Sequence, residues 1–148
     1  MSVQAPLNGS CSCGKITYRI NLSAHDVLPK IVLCHCYACK TNTGSSFSTN
    51  IIVSGLEFLK DLPKVYLDPA DGGRHCRRQF CGDCGTPLTS QSQEGGPVFA
   101  VKWGTLDKNS RDRIDTVELE IYVKRRDLWL KQIEGDDKGV VRMEEGMS

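Results

Sequence analysis

"KITYRINL", residues 15–22, alternates at every step: Ile16, Tyr18, Ile20 and Leu22 fall on one side, Thr17, Arg19 and Asn21 on the other. Successive side chains of a strand point to opposite faces, so the pattern describes a ribbon with one dry face and one wet face. The same reading extends to "FSTNIIV" (47–53), "KVYL" (64–67), "VFAVKW" (98–103) and "VELEIYV" (117–123). The last of these places Val117, Leu119, Ile121 and Val123 on one side. β-branched and aromatic residues are frequent in these runs, as half-buried strands prefer. "DPADGG" (68–73), "QEGGP" (93–97) and "DKNSRD" (107–112) punctuate them as turns. No stretch carries a long, capped, 3.6-residue period; short helical turns are expected only around 56–61 and 126–133. The pattern predicts one all-β domain of antiparallel strands over residues 1–133, followed by a polar tail, 134–148, that frays or packs loosely.

Composition narrows the class. The chain has 148 residues, 39% hydrophobic and 7% aromatic, enough for one domain with a thin core. Eight cysteines in that length imply that cross-links or metals supplement the core. A net charge of +1 gives no general attraction to nucleic acid or anionic membranes. No apolar run approaches the ~20 residues of a membrane span. "MSVQAPLNGS" has neither the basic nor the apolar region of a secretory signal. A reducing, cytoplasmic setting is therefore expected, where disulfides do not persist and metal binding best explains the cysteines.

The cysteines fall into three clusters. "CSCG" carries Cys11 and Cys13, "FCGDCGT" carries Cys81 and Cys84, and each ends in Cys-Gly. A tight turn around a metal aims backbone N–H groups at the sulfurs, and glycine accepts the positive φ that such turns require. Each cluster brings two thiolates and tetrahedral zinc takes four, so Cys11, Cys13, Cys81 and Cys84 make a closed, structural site. A metal clip across so long a loop stabilises a small domain considerably. "CHCYACK" differs: Cys34, Cys36 and Cys39 supply three thiolates with no trailing glycine, which leaves the fourth position of a zinc open. Open sites are the catalytic kind. His35 lies between two ligands, but adjacent side chains of an extended segment diverge, so a packing role beside the ligands is the better reading. Cys76 has no partner close in sequence and reads first as a small buried hydrophobe, with a fourth ligand to the middle metal or a redox thiol as the alternatives.

"GSCSCGKITY", "CHCYACKTNTGSSFS", "RQFCGDCGTPL" and "VKWGTLD" occur in the order seen in one family. The chain resembles the glutathione-dependent formaldehyde-activating enzymes, also called the centromere-protein-V domain family, over about residues 9–107. "LEIYVKRRDLWL" resembles that family's C-terminal strand and Trp segment. The resemblance implies the Mss-four-like fold, coiled antiparallel sheets with metals at hairpin ends. It also implies one structural zinc on Cys11, Cys13, Cys81 and Cys84 and a second, catalytic zinc on Cys34, Cys36 and Cys39. At the second site glutathione and formaldehyde are expected to meet, giving S-hydroxymethylglutathione. Two departures stand out: Lys40 follows the third cysteine where the family often has Arg, and Cys76 is outside the family signature.

A divalent zinc with three thiolates has a formal charge of −1, which suits it poorly to ionising water. It suits an incoming thiol better, because the metal lowers the thiol pKa. The expected activity is thus that of a carbon–sulfur lyase or synthase acting on glutathione–aldehyde adducts or a related small electrophile. Lys40, Ser45 and Ser46 are candidate contacts for glutathione, and Arg77 and Arg78 for its carboxylates. Trp103 is expected to pack in the core. Two competing readings are a zinc-ribbon-like binding module for a protein or chromatin partner and a redox sensor that releases zinc on oxidation. The only basic clusters are 74–78 and 124–126. The sequence sets no oligomeric state.

Overall fold

The computed structural model describes residues 3–70, 75–135 and 139–146. Two sheets form the body. The smaller contains β1 (Leu7–Ser10), β2 (Thr17–Ile20) and β5 (Glu57–Lys60), in the order β1-β2-β5. The larger has β3 (Ile31–Cys34), β4 (Ser48–Ser54), β6 (Lys64–Asp68), β7 (Cys76–Phe80), β8 (Pro87–Ser92), β9 (Val98–Lys102), β10 (Val117–Ile121) and β11 (Val141–Met143). Their order is β11-β10-β3-β4-β9-β8-β7-β6. The chain is thus mainly β, as expected. One detail differs: β10 runs parallel to both β3 and β11, so the larger sheet is mixed rather than wholly antiparallel.

The alternation of "KITYRINL" sets the core. Ile16, Tyr18, Ile20 and Leu22 are all buried, while Arg19 faces solvent. They meet Leu7, Ile31, Leu33, Ile51, Leu88, Val101, Leu106 and Ile114 in one apolar cluster. Fully burying an aliphatic side chain of this size is worth about 1.5–3 kcal/mol. Trp103 packs against this cluster, as expected, and its indole N–H donates to the Ile114 carbonyl at 2.9 Å.

Three local expectations are corrected. The turn expected at 56–61 is strand β5, because β2 offers an open edge and Phe58 meets the Tyr18 ring edge-on at 6.5 Å. A turn does form within 126–133, where the Leu130 N–H donates to the Asp127 carbonyl at 3.0 Å. A 3₁₀ turn precedes it at Val123–Arg125, after Tyr122 enters the left-handed region at φ 56°. That turn also ends β10 at Ile121, so Val123 leaves the face expected for it. Beyond Glu134, in the segment expected to fray, β11 pairs with β10, and the Tyr122 N–H donates to the Glu145 carbonyl at 3.1 Å. Two short helices also appear: α1 (Tyr37–Thr43), and α2 (Lys108–Asp112) capped by the Asp107 carboxylate. Among the described residues no helix is long and apolar enough to cross a membrane.

Candidate metal centres

The first centre joins the two sheets. Cys11 and Cys13 lie in the turn between β1 and β2, Cys81 and Cys84 in the turn between β7 and β8. The two turns repeat one geometry. The Cys11 N–H donates to the Ile16 carbonyl and the Cys81 N–H to the Thr86 carbonyl, each at 3.0 Å. Gly14 and Gly85 both sit at φ 76°, the conformation expected from the two Cys-Gly endings. The four sulfurs lie within 4.8 Å of one another, a closed donor set that could hold a metal ion. Cys11 and Cys81 are buried, Cys13 and Cys84 exposed. The Cys84 thiol is lowered to about 5, first by the Thr86 hydroxyl, 3.1 Å away.

The second centre caps a helix. Cys34 ends β3, Cys36 is the N-cap of α1, and Cys39 lies one turn along it. The Cys39 N–H donates to the Cys36 sulfur at 3.3 Å, and Gly44, at φ 64°, closes the helix with a bond to the Lys40 carbonyl. The three sulfurs lie within 4.8 Å of one another, and among the described residues no fourth His, Cys, Asp or Glu joins them. Hydrogen bonds from Cys34, then Cys36, hold the Cys39 thiol far below its usual range, and the same contacts push Cys34 far above it. A divalent cation can replace the protons that these three sulfurs share. The donor set fits a metal ion.

His35 does not face these sulfurs. It is fully buried, its Nε2 lies 2.9 Å from Glu120 Oε1, and its ring stands 5.6 Å from Phe47. Glu120, also fully buried, accepts from Arg126 at 2.9 Å and from Arg142 on β11 at 3.0 Å. Lys40 points away from Cys39: its ammonium donates to Asp127 at 2.8 Å and to the Arg125 carbonyl at 2.7 Å. Ser46 also bonds Asp127, and the Ser45 N–H donates to the Lys40 carbonyl at 3.3 Å. The three residues thus form one polar knot on the rim beside Asp127.

Arg78, a candidate for glutathione's carboxylates, already has partners within the chain. It is buried on β7, donates to Asp68 at 2.6 Å and to Ser90 at 3.1 Å, and feels the charge of Cys39. Cys76 is half-buried on the same strand and lies outside the three-sulfur cluster. Sequence reasoning missed Ser48, Asn50 and Lys102, which are buried behind Cys39. Burial lowers the Lys102 ammonium, and the nearby Cys39 and Cys34 oppose that shift. A lysine inside the otherwise apolar run "VFAVKW" was the available signal. A cleft of about 230 Å³ between β2 and β4, lined by Leu22, Val27 and Val53, contains no cysteine.

A family model for the glutathione-dependent formaldehyde-activating enzymes matches residues 6–125. The chain belongs to that family. Its two cysteine clusters occupy the matched region, and β11 lies beyond it. No curated protein matches the sequence significantly. Among solved structures, the crystal structure of a Rhodobacter sphaeroides protein superposes with a TM-score of 0.51 at 16% identity, covering 92% of this chain and 98% of that one. That likeness is one of fold. Family membership links the chain to glutathione and formaldehyde chemistry.

Proposed function

We propose that the chain is a zinc-dependent carbon–sulfur lyase or synthase that makes and breaks S-hydroxymethylglutathione or a closely related thiol–aldehyde adduct. The observation that carries this is the three-sulfur cluster of Cys34, Cys36 and Cys39 with no fourth donor among the described residues, beside a second cluster that supplies four. Zinc held there would lower the pKa of an incoming thiol. In the forward direction the thiol sulfur bonds to the carbonyl carbon, the C=O π bond opens, and the oxygen takes up the proton that the thiol released. No electrons change hands, so no redox cofactor is needed. The four-cysteine zinc is structural in this reading.

Lys40, Ser45 and Ser46 are proposed contacts for the arms of glutathione, with Asp127 as the partner that an incoming carboxylate displaces from Lys40. The arrangement of the basic residues supports a small-molecule substrate over a nucleic-acid partner. Arg78 is committed to Asp68, Arg126 to Glu120 and Lys124 to Glu145. Arg74 lies outside the described residues. A reducing, cytoplasmic setting is part of this reading, because clustered cysteines there hold metal rather than form disulfides.

The test is two-dimensional exchange NMR of glutathione with formaldehyde. Zinc-loaded protein should accelerate exchange over the spontaneous rate, and Cys39→Ser should abolish the acceleration while releasing one of the two metals. Unaccelerated exchange, together with no glutathione binding by calorimetry, overturns the proposal.

A further inference from the structure

Behind Cys39 a line of buried polar groups runs into the sheet, and none of them is needed to grip a metal. Ser48 is buried opposite Cys34, which places its hydroxyl beside the sulfur cluster, close enough to lower the Cys39 thiol. Asn50 Nδ2 donates to Ser48 Oγ at 2.9 Å, and Lys102 Nζ donates to Asn50 Oδ1 at 2.9 Å. Strand register builds the line: Ser48 stands opposite Cys34 across β3–β4, and Asn50 stands opposite Lys102 across β4–β9. Its direction follows from chemistry. An ammonium only donates, so the Asn50 carbonyl faces Lys102 and its amide faces Ser48, which leaves the Ser48 proton for the sulfur. Ser48, Asn50 and Lys102 are 1%, 5% and 6% exposed, respectively.

Lys102 needs a counter-charge. Burying an ammonium unpaired is strongly unfavourable, and among the described residues no carboxylate pairs with it; Ser90 Oγ, at 3.5 Å, is its other contact. The negative charge it faces is that of the cysteine cluster. Arg78, buried on β7, also feels the charge of Cys39, but Asp68 neutralises it. Three thiolates and a divalent ion would sum to −1. Lys102, the buried cation here with no carboxylate of its own, would bring the centre to neutrality, and a further thiolate would take it only to −1.

We propose that Lys102, acting through Asn50 and Ser48, is the positioning and specificity-determining residue that lets the three-cysteine centre accept an anionic sulfur ligand in preference to a neutral one. The inference rests on that centre holding a divalent metal open to a thiol, and not on which aldehyde reacts.

Cobalt(II) makes the test optical, because sulfur-to-cobalt charge transfer reports each thiolate that binds. The full-length chain loaded with cobalt(II) is titrated with glutathione and, separately, with imidazole, as wild type and as Lys102→Met, Lys102→Arg and Ser48→Ala. The closed four-cysteine site adds a constant background. Lys102→Met should weaken glutathione about tenfold or more, leave imidazole within twofold, and raise the pH at which the thiolate band appears. Lys102→Arg should restore most of the loss. Ser48→Ala removes the donor without touching the buried charge, so it remains decisive if Lys102→Met does not fold; it should shift the charge-transfer band and weaken glutathione severalfold. Equal weakening of both ligands by Lys102→Met, or a Ser48→Ala chain identical to wild type, overturns the inference. A wild-type chain whose spectrum ignores every thiol overturns the proposed open site itself, and a chain that binds glutathione in this charge-dependent way without accelerating exchange overturns only the reaction.

Discussion

Glu120 has no exposed surface, yet three basic side chains converge on it: His35, Arg126 and Arg142. Burial pushes its carboxyl up, but His35 and then Arg126 outweigh burial and hold it below the usual carboxylate range. A depressed folded pKa stabilises the fold above the ordinary carboxylate pKa, and the contribution is lost as pH falls through the folded value. Glu120→Gln should therefore cost about 1–3 kcal/mol at neutral pH by urea unfolding, because buried His35 and half-buried Arg126 lose a charged acceptor. The difference from wild type should narrow on acidification. None of this was legible in "VELEIYV", where alternation assigns Glu120 to the wet face. Parallel pairing with β3 and β11 and the two arginines cover that face, and no local pattern encodes them. Lys40 belongs at the same scale. If it meets a glutathione carboxylate, Lys40→Ala should raise KM for glutathione severalfold with kcat nearly unchanged, as loss of uniform binding does.

At the scale of elements, strands whose sequence alternates announced themselves and the rest did not, and this held even for β6, where Lys64–Leu67 are all exposed. β2, β4, β6, β9 and β10 were read from alternation, whereas "IVLC" of β3 is buried on both faces and does not alternate. α1 was hidden because its cap is the sulfur of Cys36 rather than Ser, Thr, Asp or Asn. β1 was missed because Gly9 interrupts it, and the structure supplies the reason for that glycine. A Cβ at Gly9 would lie 2.3 Å from the Tyr18 ring and 2.6 Å from the Thr105 carbonyl oxygen. Gly9→Ala should therefore destabilise the chain by about 1–3 kcal/mol through overpacking, read as a lower urea midpoint. β11 makes a second case. Met143 packs on the cluster of Cys34, Cys36 and Ile121, and Arg142 reaches Glu120. Deleting residues 139–148 should weaken metal retention at the three-cysteine centre in a chelator competition and spare the four-cysteine centre.

Across the whole molecule, the cysteine spacing revealed both donor sets, because ligands close in sequence need only a turn to converge. It did not reveal that the four-cysteine set fastens the three-stranded sheet to the eight-stranded one. Removing a metal held there should loosen the two turns, while the shared apolar core still joins the sheets. Exhaustive chelation, or Cys81→Ser, should lower Tm by roughly 10 °C or more, corresponding to several kcal/mol. Emptying the three-cysteine centre alone should lower it much less, since Cys34, Cys36 and Cys39 tie together only β3 and α1. The fastening is also lopsided, with Cys11 and Cys81 turned inward and Cys13 and Cys84 turned to solvent. An ion there can be handed over sulfur by sulfur on the outer side while the inner pair still grips it. A metal held in this clasp would therefore be open to ligand exchange through Cys13 and Cys84. Zinc loaded there should trade with a thiol-bearing donor faster than the domain unfolds.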